Sequence, residues 1–222
     1  MLDPLWIFAY GSLIFRPGIP FVERRVALLR GYARRFWQGS VDHRGVPGAP
    51  GRVVTLVEEP TADCWGVAYR VASEFAPEVL LELDRREQGG YERALVDLHW
   101  HPREAGVEHG SPVRALVYVA TANNPNFLGA AELSALVQQV QIARGPSGTN
   151  RDYVLALASA LRELGLDDEH VFELEAYLLN DPNAEASGAR TARGLAQAPI
   201  DRAISPHPCV AVAGSAGADE AR

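Results

Sequence analysis

The sequence predicts an α+β fold, in which a strongly curved and largely antiparallel sheet or barrel is covered by one mid-chain helix and a C-terminal group of helices. Three observations support this prediction. The first 120 residues carry mainly short apolar runs of strand type. After Gly129 the apolar period becomes helical. With 222 residues, 47% of them apolar, the chain is long enough for one well-buried domain and too short for two comfortable ones.

Seven apolar runs are predicted to be strands. They span 5–10, 25–29, 33–37, 52–58, 64–71, 93–100 and 113–120. The first run follows Asp3 rather than a basic segment and is broken by Tyr10-Gly11-Ser12. It therefore predicts a first strand and turn, and neither a signal peptide nor a membrane span.

The mid-chain helix lies between the runs 64–71 and 93–100, where Gly89-Gly90 supplies the stop and Glu87 falls at the helix C-terminus. Its apolar stripe consists of Phe75, Val79, Leu80 and Leu83. A helix after Gly129 and a second one beginning near Thr149 follow, with Asp152 completing a capping-box pattern. Their stripes are Leu133, Leu136, Val137 and Val140, then Val154, Leu157, Ala158 and Leu161. A third helix is predicted over 168–179.

Residues 1–182 are expected to form the single folded domain. From 183 to 222 the residues are small or polar and show no sustained period, so we expect this stretch to be a largely disordered extension. The sequence does not indicate the oligomeric state.

The formal charge of −7 argues against nucleic acid and against an anionic membrane as partners. The segment 34–40 mixes cations with aromatics, yet it is isolated in an acidic chain, and its aromatics are expected in the core or a pocket wall. Cys64 and Cys209 are the only cysteines, which favours a reduced, cytoplasmic protein. A small polar metabolite is the partner that fits best.

The run Tyr10-Gly11-Ser12-Leu13 lies where the first predicted strand ends. A glycine in such a loop lets backbone N–H groups approach a carboxylate or an oxyanion closely. A simple strand-ending turn is the alternative interpretation.

Glu87 is the candidate catalytic residue. The exposed carbonyl groups at a helix C-terminus disfavour a negative carboxylate, so they are expected to raise its pKa, which suits a proton-transferring group. The alternative is an ordinary solvated glutamate at a helix end.

Other kinds of site lack their motifs. The six histidines show no metal-binding spacing, and His99 with His101 would supply only two ligands, so no metal site is expected. No nucleophile elbow, papain-like cysteine motif, phosphate loop or dinucleotide fingerprint occurs. Ser12 and Cys64 are therefore expected to be packing or loop residues.

Four blocks of sequence together resemble the ChaC family of glutathione-specific γ-glutamylcyclotransferases, and the resemblance covers about residues 5–180. The blocks are WIFAYGSLI at 6–14, RRFWQGS with DHRGVPG and GRVVTLV at 34–57, REQGGY at 86–91 and GPSGTN at 145–150. Two positions depart from the family's usual residues: Ala9 stands in place of glycine and Gln88 in place of lysine. Neither departure removes a proposed catalytic group.

The resemblance implies a γ-glutamylcyclotransferase-like fold, no metal or organic cofactor, and glutathione as substrate. It implies that Glu87 is catalytic and that the loop of Tyr10, Gly11, Ser12 and Leu13, with the flanking Ala9 and Ile14, binds the γ-glutamyl group. Tyr118 is carried over as a late-strand tyrosine near the substrate, with a tyrosine packed in a strand as the equal alternative.

The implied reaction needs no enzyme nucleophile, because the α-amine of the glutamyl group attacks its own γ-carbonyl and closes a lactam. The expected products are 5-oxoproline and cysteinylglycine. One alternative is a cyclotransferase of the same fold acting on other γ-glutamyl amino acids or amines. A second alternative is a noncatalytic glutamyl-binding protein.

Overall fold

The structure is a computed structural model that describes residues 5–87, 89–102 and 111–180. Its centre is a closed barrel of five strands in the order β1-β3-β2-β4-β5. The strands are β1 (Leu5–Ala9), β2 (Glu23–Ser40), β3 (Gly51–Val71), β4 (Glu92–Trp100) and β5 (Val113–Val119). All pairs are antiparallel except β1 with β5, where Ile7 pairs with Leu116 in parallel and closes the barrel. The predicted α+β class with a curved, mainly antiparallel barrel is confirmed.

The two longest strands correct the predicted element count. The runs 25–29 and 33–37 belong to one strand, β2, and the runs 52–58 and 64–71 belong to one strand, β3. Register shifts between Arg30 and Tyr32 and between Arg35 and Gln38 keep the strands paired while they bend. Gly31 lies in the first shift with φ of +77°, a conformation that glycine adopts without strain. The interruptions in the apolar pattern were therefore bulges rather than strand ends.

Four helices cover the barrel: α1 (Ala76–Arg86), α2 (Leu133–Ile142), α3 (Asn150–Glu163) and α4 (Glu169–Leu179). The predicted helices are confirmed, and Thr149 caps α3 by accepting a hydrogen bond from the Asp152 N–H at 3.0 Å. A short 3-10 helix (Ser12–Ile14) and a two-residue hairpin of β6 (Arg144–Gly145) and β7 (Gly148–Thr149) were not predicted. The boundary at 182, the extension 183–222 and Gln88 lie outside the described residues.

Candidate active site

One cavity of about 310 Å³ lies where the end of β1, the last residues of β2, the start of β3 and the end of α1 meet. Its size is at the lower end of the range for small-molecule sites. Its wall is formed by Phe8, Ala9, Tyr10, Gly11, Ser12, Leu13, Phe15, Arg16, Gln38, Gly39, Ser40, Asp42, His43, Arg44, Val53, Val54, Arg86, Glu87, Gly89, Tyr91, Tyr118, Asn126, Ser147 and Tyr153. The cavity therefore brings together side chains from all four sequence blocks.

The predicted loop leaves β1 at Ala9 and turns at once into the 3-10 helix. The first hydrogen bond of that helix joins the Ile14 N–H to the Gly11 carbonyl at 3.0 Å. Because the first N–H groups of a helix have no partner within it, the N–H groups of Ser12 and Leu13 remain for a ligand. Both residues line the cavity. The loop thus has the form of an anion-binding helix start, although it is only one turn long.

Buried hydrogen bonds hold this loop on both sides. The Tyr10 hydroxyl donates to the Tyr118 carbonyl at 2.7 Å, and the Tyr69 hydroxyl donates to the Leu13 carbonyl at 3.0 Å. Nε of Arg34 donates to the Tyr10 carbonyl at 2.6 Å, and the same guanidinium forms an ion pair with Asp168 at the start of α4. The loop is consequently fixed before any ligand binds.

Little space is available for a side chain at Gly11. A Cβ atom at this position would lie 3.0 Å from Cγ2 of Val54 and 3.3 Å from the Tyr153 hydroxyl oxygen. Both neighbours line the same cavity. Because Gly11 has no side chain, the loop can lie directly against β3 and α3, and no side chain covers its backbone at this position.

Glu87 lies directly after α1, and its N–H closes the helix by donating to the Leu83 carbonyl at 2.9 Å. Its pKa is raised from the ordinary 4.5 to about 7, mainly because burial disfavours the charged carboxylate. The nearby Arg86 lowers the pKa and Asp42 raises it further. The predicted direction is confirmed, but the leading cause is burial in the cavity wall rather than the helix carbonyl groups.

Arginine residues give the cavity its positive groups. Arg44 is buried, donates to the Thr149 carbonyl at 3.2 Å, and has a pKa lowered by burial and by the charge of Arg16. Arg86 donates to the Pro17 carbonyl at 2.7 Å. Within the described ranges, no ion pair is formed by Arg16, Arg44 or Arg86. Guanidinium groups arranged in this way suit an anionic ligand.

The structure brings most of the predicted site residues to this cavity. Ala9, Tyr10, Gly11, Ser12, Leu13, Glu87 and Tyr118 line its wall. Ile14 does not: its side chain is buried in the hydrophobic core, and its N–H is used by the Gly11 carbonyl. Ile14 is the last residue of the 3-10 helix, and its apolar side chain packs in the core of the barrel instead of lining the cavity.

Tyr118 lines the cavity, but its hydroxyl group is bound to other residues. Its hydroxyl donates to Asp84 at 2.7 Å and accepts from Nε of Arg93 at 3.1 Å. Burial and the Asp84 carboxylate raise its pKa to about 12. The hydroxyl is therefore committed to a protein network, and the backbone carbonyl of Tyr118 is the group that supports the predicted loop.

Several wall residues were not singled out from the sequence. Gln38, Asp42, His43 and Arg44 lie within quoted blocks but received no role, because their side chains come together only through the bulged end of β2 and the loop that follows it. Ser147 joins them through a hydrogen bond of 3.0 Å with Nδ1 of His43. Nothing in the two sequence blocks that contain His43 and Ser147 indicates that these residues are in contact in the fold.

The described part of the chain contains no group of three or more His, Cys, Asp or Glu residues arranged for a metal ion. In the same residues, no helix has the length and apolar character needed to cross a membrane. What the cavity offers chemically is one carboxyl group that titrates near neutral pH, two free backbone N–H groups and a set of guanidinium groups. This combination can transfer a proton within a bound anionic molecule.

Comparison with known proteins agrees with this description. A family model described as ChaC-like protein matches residues 5–180. Glutathione-specific γ-glutamylcyclotransferase 1 of Homo sapiens is 45% identical over 175 residues, which cover 76% of this chain and 77% of the human protein. The protein of the same name from Danio rerio is 43% identical over 179 residues, covering 79% of this chain and 89% of the relative.

Solved structures give the same result at the level of the fold. A crystal structure of a γ-glutamyl cyclotransferase specific to glutathione from yeast superposes with a TM-score of 0.73 at 28% identity, covering 80% of this chain and 96% of the yeast chain. The match of the family model over all described residues, together with relatives above 40% identity, settles the classification. This chain belongs to the ChaC-like family.

Proposed function

We propose that this protein cleaves glutathione by cyclising its γ-glutamyl group, which releases 5-oxoproline and L-cysteinylglycine. The observation that carries the proposal is the half-buried Glu87 carboxyl group, whose pKa of about 7 lets it both accept and return a proton at neutral pH. The names of the similar human, fish and yeast proteins support the same substrate.

In the first step, the Glu87 carboxylate takes a proton from the substrate's α-ammonium group. The amine lone pair then attacks the γ-carbonyl carbon, a C–N bond forms and negative charge develops on the γ-oxygen. The N–H groups of Ser12 and Leu13 stabilise this oxygen, or the α-carboxylate beside it.

In the second step, Glu87 returns its proton to the departing nitrogen as the old C–N bond breaks. The attacking nitrogen, which carries two hydrogens and a positive charge after attack, gives one more proton to Glu87, and Glu87 passes it to the released amine. Overall, two protons leave the attacking nitrogen and two arrive at the departing nitrogen, so Glu87 ends in its starting state. Because attack is intramolecular, correct folding of the glutamyl chain supplies a large part of the rate, equivalent to effective molarities of about 10⁵–10⁸ M. No cofactor takes part in this scheme.

The arginines of the cavity support glutathione over smaller γ-glutamyl compounds. Glutathione carries a second carboxylate on its glycine residue, and the exposed Arg16 and the buried Arg44 provide guanidinium groups in the cavity wall. A γ-glutamyl amino acid carries its second carboxylate one residue nearer to the reacting amide. We also propose a cytoplasmic location, since the glutathione pool keeps thiols reduced in that compartment.

The test is to incubate purified protein with reduced glutathione and, separately, with γ-glutamylalanine, and to measure 5-oxoproline and cysteinylglycine by mass spectrometry. Faster release from glutathione supports the proposal. Faster release from γ-glutamylalanine would keep the chemistry and move the protein to the broader cyclotransferase class. Binding of glutathione without any 5-oxoproline would instead leave a noncatalytic binding protein.

A further inference from the structure

Gln38 lines the cavity, and its side chain has a buried acceptor without a partner. Gln38 is 1% exposed and lines the cavity close to the end of β2. Among the described residues, three buried side-chain polar atoms have no hydrogen-bond partner: Nη1 of Arg25, Oε1 of Gln38 and Nε of Arg151. Of these three residues, Gln38 alone lines the cavity. Because buried polar atoms are nearly always hydrogen-bonded, a missing donor at this place indicates a ligand group.

The orientation of the Gln38 amide is fixed by its neighbours. The Asn126 N–H donates to Oδ1 of Asn124 at 2.8 Å, and Nδ2 of Asn124 donates to the Gly89 carbonyl at 2.8 Å. Oδ1 of Asn124 is therefore an acceptor, and Nε2 of Gln38 donates to it at 3.0 Å and to the Gly39 carbonyl at 3.2 Å. Rotating the amide by half a turn would place its oxygen against two acceptors. Oε1 is thus the atom left for another molecule.

The same hydrogen bonds tie Gln38 to the segment that carries Glu87. Gly89 follows Glu87 by two residues and is held by Asn124, which also holds the Gln38 amide. Gly39 is bound to the same loop, because its N–H donates to the Asn126 carbonyl at 2.8 Å. Movement of Gln38 relative to the Glu87 turn is restricted by this network.

We propose that Oε1 of Gln38 accepts a hydrogen bond from the α-ammonium group of the γ-glutamyl substrate and orients that nitrogen for attack. The inference rests on the proposed function, since it assigns a contact within that reaction. The ammonium group is the charged donor of glutathione, and it has to reach Glu87 to lose its proton. A strong donor is what the unpartnered oxygen lacks, and Gln38 and Glu87 both line the cavity that the substrate would enter.

Stereochemistry gives this contact a clear role. After Glu87 removes one proton, the amine keeps two N–H bonds and a lone pair, and the lone pair must point to the γ-carbonyl carbon. An acceptor that holds one of the remaining N–H bonds removes the free rotation of the amine. Gln38 is therefore a residue that positions the nucleophile, while Glu87 moves the proton.

The experiment compares two ligands by calorimetry in the Glu87→Gln background, where neither ligand is consumed. One ligand is glutathione; the other is glutaryl-cysteinylglycine, which differs only by lacking the α-amino group. With Gln38 intact, glutathione should bind at least about tenfold more tightly. Adding Gln38→Met should weaken glutathione about 10- to 100-fold and leave the glutaryl compound nearly unchanged.

Gln139→Met is the matched control. Gln139 accepts from Nε of Arg52 and donates to the Pro50 carbonyl, both at 2.8 Å, and it does not line the cavity. The same substitution there should lower the melting temperature and weaken both ligands equally, if at all. Gln38→Asn keeps an amide but withdraws it by about 1.5 Å. It takes the place of Gln38→Met in the binding experiment if the methionine variant does not fold.

Equal affinity for the two ligands with Gln38 intact would overturn the inference, and so would equal weakening of both by Gln38→Met. Either result would mean that water or a purely structural role satisfies the oxygen. Wild-type turnover is measured separately. The wild-type protein could release no 5-oxoproline and still prefer glutathione to the glutaryl compound. That result would contradict the proposed function but not the contact between Gln38 and the α-ammonium group.

Discussion

The hydroxyl group of Tyr10 donates a buried hydrogen bond of 2.7 Å to the backbone carbonyl of Tyr118. The hydroxyl of Tyr118 points to a different set of partners, Asp84 and Arg93. We therefore expect the two tyrosines to respond differently to loss of the hydroxyl. Tyr10→Phe removes this buried hydrogen bond, which should cost about 1 kcal/mol of unfolding free energy and lower kcat/KM several-fold. Tyr118→Phe should change kcat/KM by less than about twofold, because its hydroxyl bonds lie in a partly exposed network.

Chemical denaturation and initial rates of 5-oxoproline formation measure both effects for this pair. A large loss of turnover in Tyr118→Phe with unchanged stability would contradict this interpretation. It would restore the tyrosine hydroxyl as a group that contacts the substrate.

Replacing Glu87 by glutamine should abolish most turnover. The amide keeps the size of the side chain but cannot accept or return the proton, so kcat should fall by about 10²–10⁴. Glu82→Gln is the matched control, because Glu82 is exposed on α1 and forms an ion pair with Arg85. Rates of 5-oxoproline release at saturating glutathione make the comparison. Similar losses in both variants would point to damage of α1 rather than to catalysis.

The rate should depend on pH through the Glu87 carboxyl group. Since its pKa is raised to about 7 and the carboxylate is the active form, kcat/KM should fall about tenfold per pH unit well below 7. Asp42 raises this pKa, so Asp42→Asn should move the acidic limb of the profile to lower pH. Profiles between pH 5 and 8 in constant ionic strength test both points. A profile that stays flat down to about pH 4.5 would exclude Glu87 as the base.

The stability of the folded protein should depend on pH in the opposite direction, because it should fall as the pH rises. The folded protein holds the Glu87 proton more tightly than the unfolded chain, so the favourable contribution is complete below about 4.5 and is lost as pH rises through about 7. The difference corresponds to about 3 kcal/mol. Glu87→Gln should therefore gain stability relative to wild type between these pH values. Urea unfolding of the two proteins at pH 4.5 and pH 8 measures the gain, and a constant difference would show that burial does not control this group.

Gly11→Ala should lower activity by crowding the loop. Its new Cβ would lie 3.0 Å from Cγ2 of Val54, so the loop or the Val54 side chain has to shift by a few tenths of an ångström. Because a displacement of about 1 Å can cost about 10²-fold in rate, this smaller shift should lower kcat by less than that. The double variant Gly11→Ala with Val54→Ala removes the methyl group in question and should recover part of kcat. If the single variant is inactive and the double variant shows no recovery, contact with Val54 is not the reason for glycine.

The sequence was informative where local patterns determine the structure. The apolar stripe, followed by Gly89-Gly90, was enough to place Glu87 at the end of α1. The pair of Thr149 and Asp152, three residues apart, correctly predicted the cap at the start of α3. It was misleading along β2, since bulges near Gly31 break the apolar pattern without ending the strand. Strand order and the partners of Gln38 could not be predicted, because both depend on contacts between distant parts of the chain.

Arg34 has a consequence for how the protein is made. Its side chain, from a residue in the first fifth of the chain, is fully buried and joins the Tyr10 carbonyl to Asp168 at the start of α4. During synthesis the ribosome delivers Tyr10 and Arg34 long before Asp168, so the buried cation first exists without its carboxylate. A nascent chain that ends before α4 should therefore be unable to lock the substrate loop and should remain inactive. The candidate site would therefore be complete only after α4 has left the ribosome.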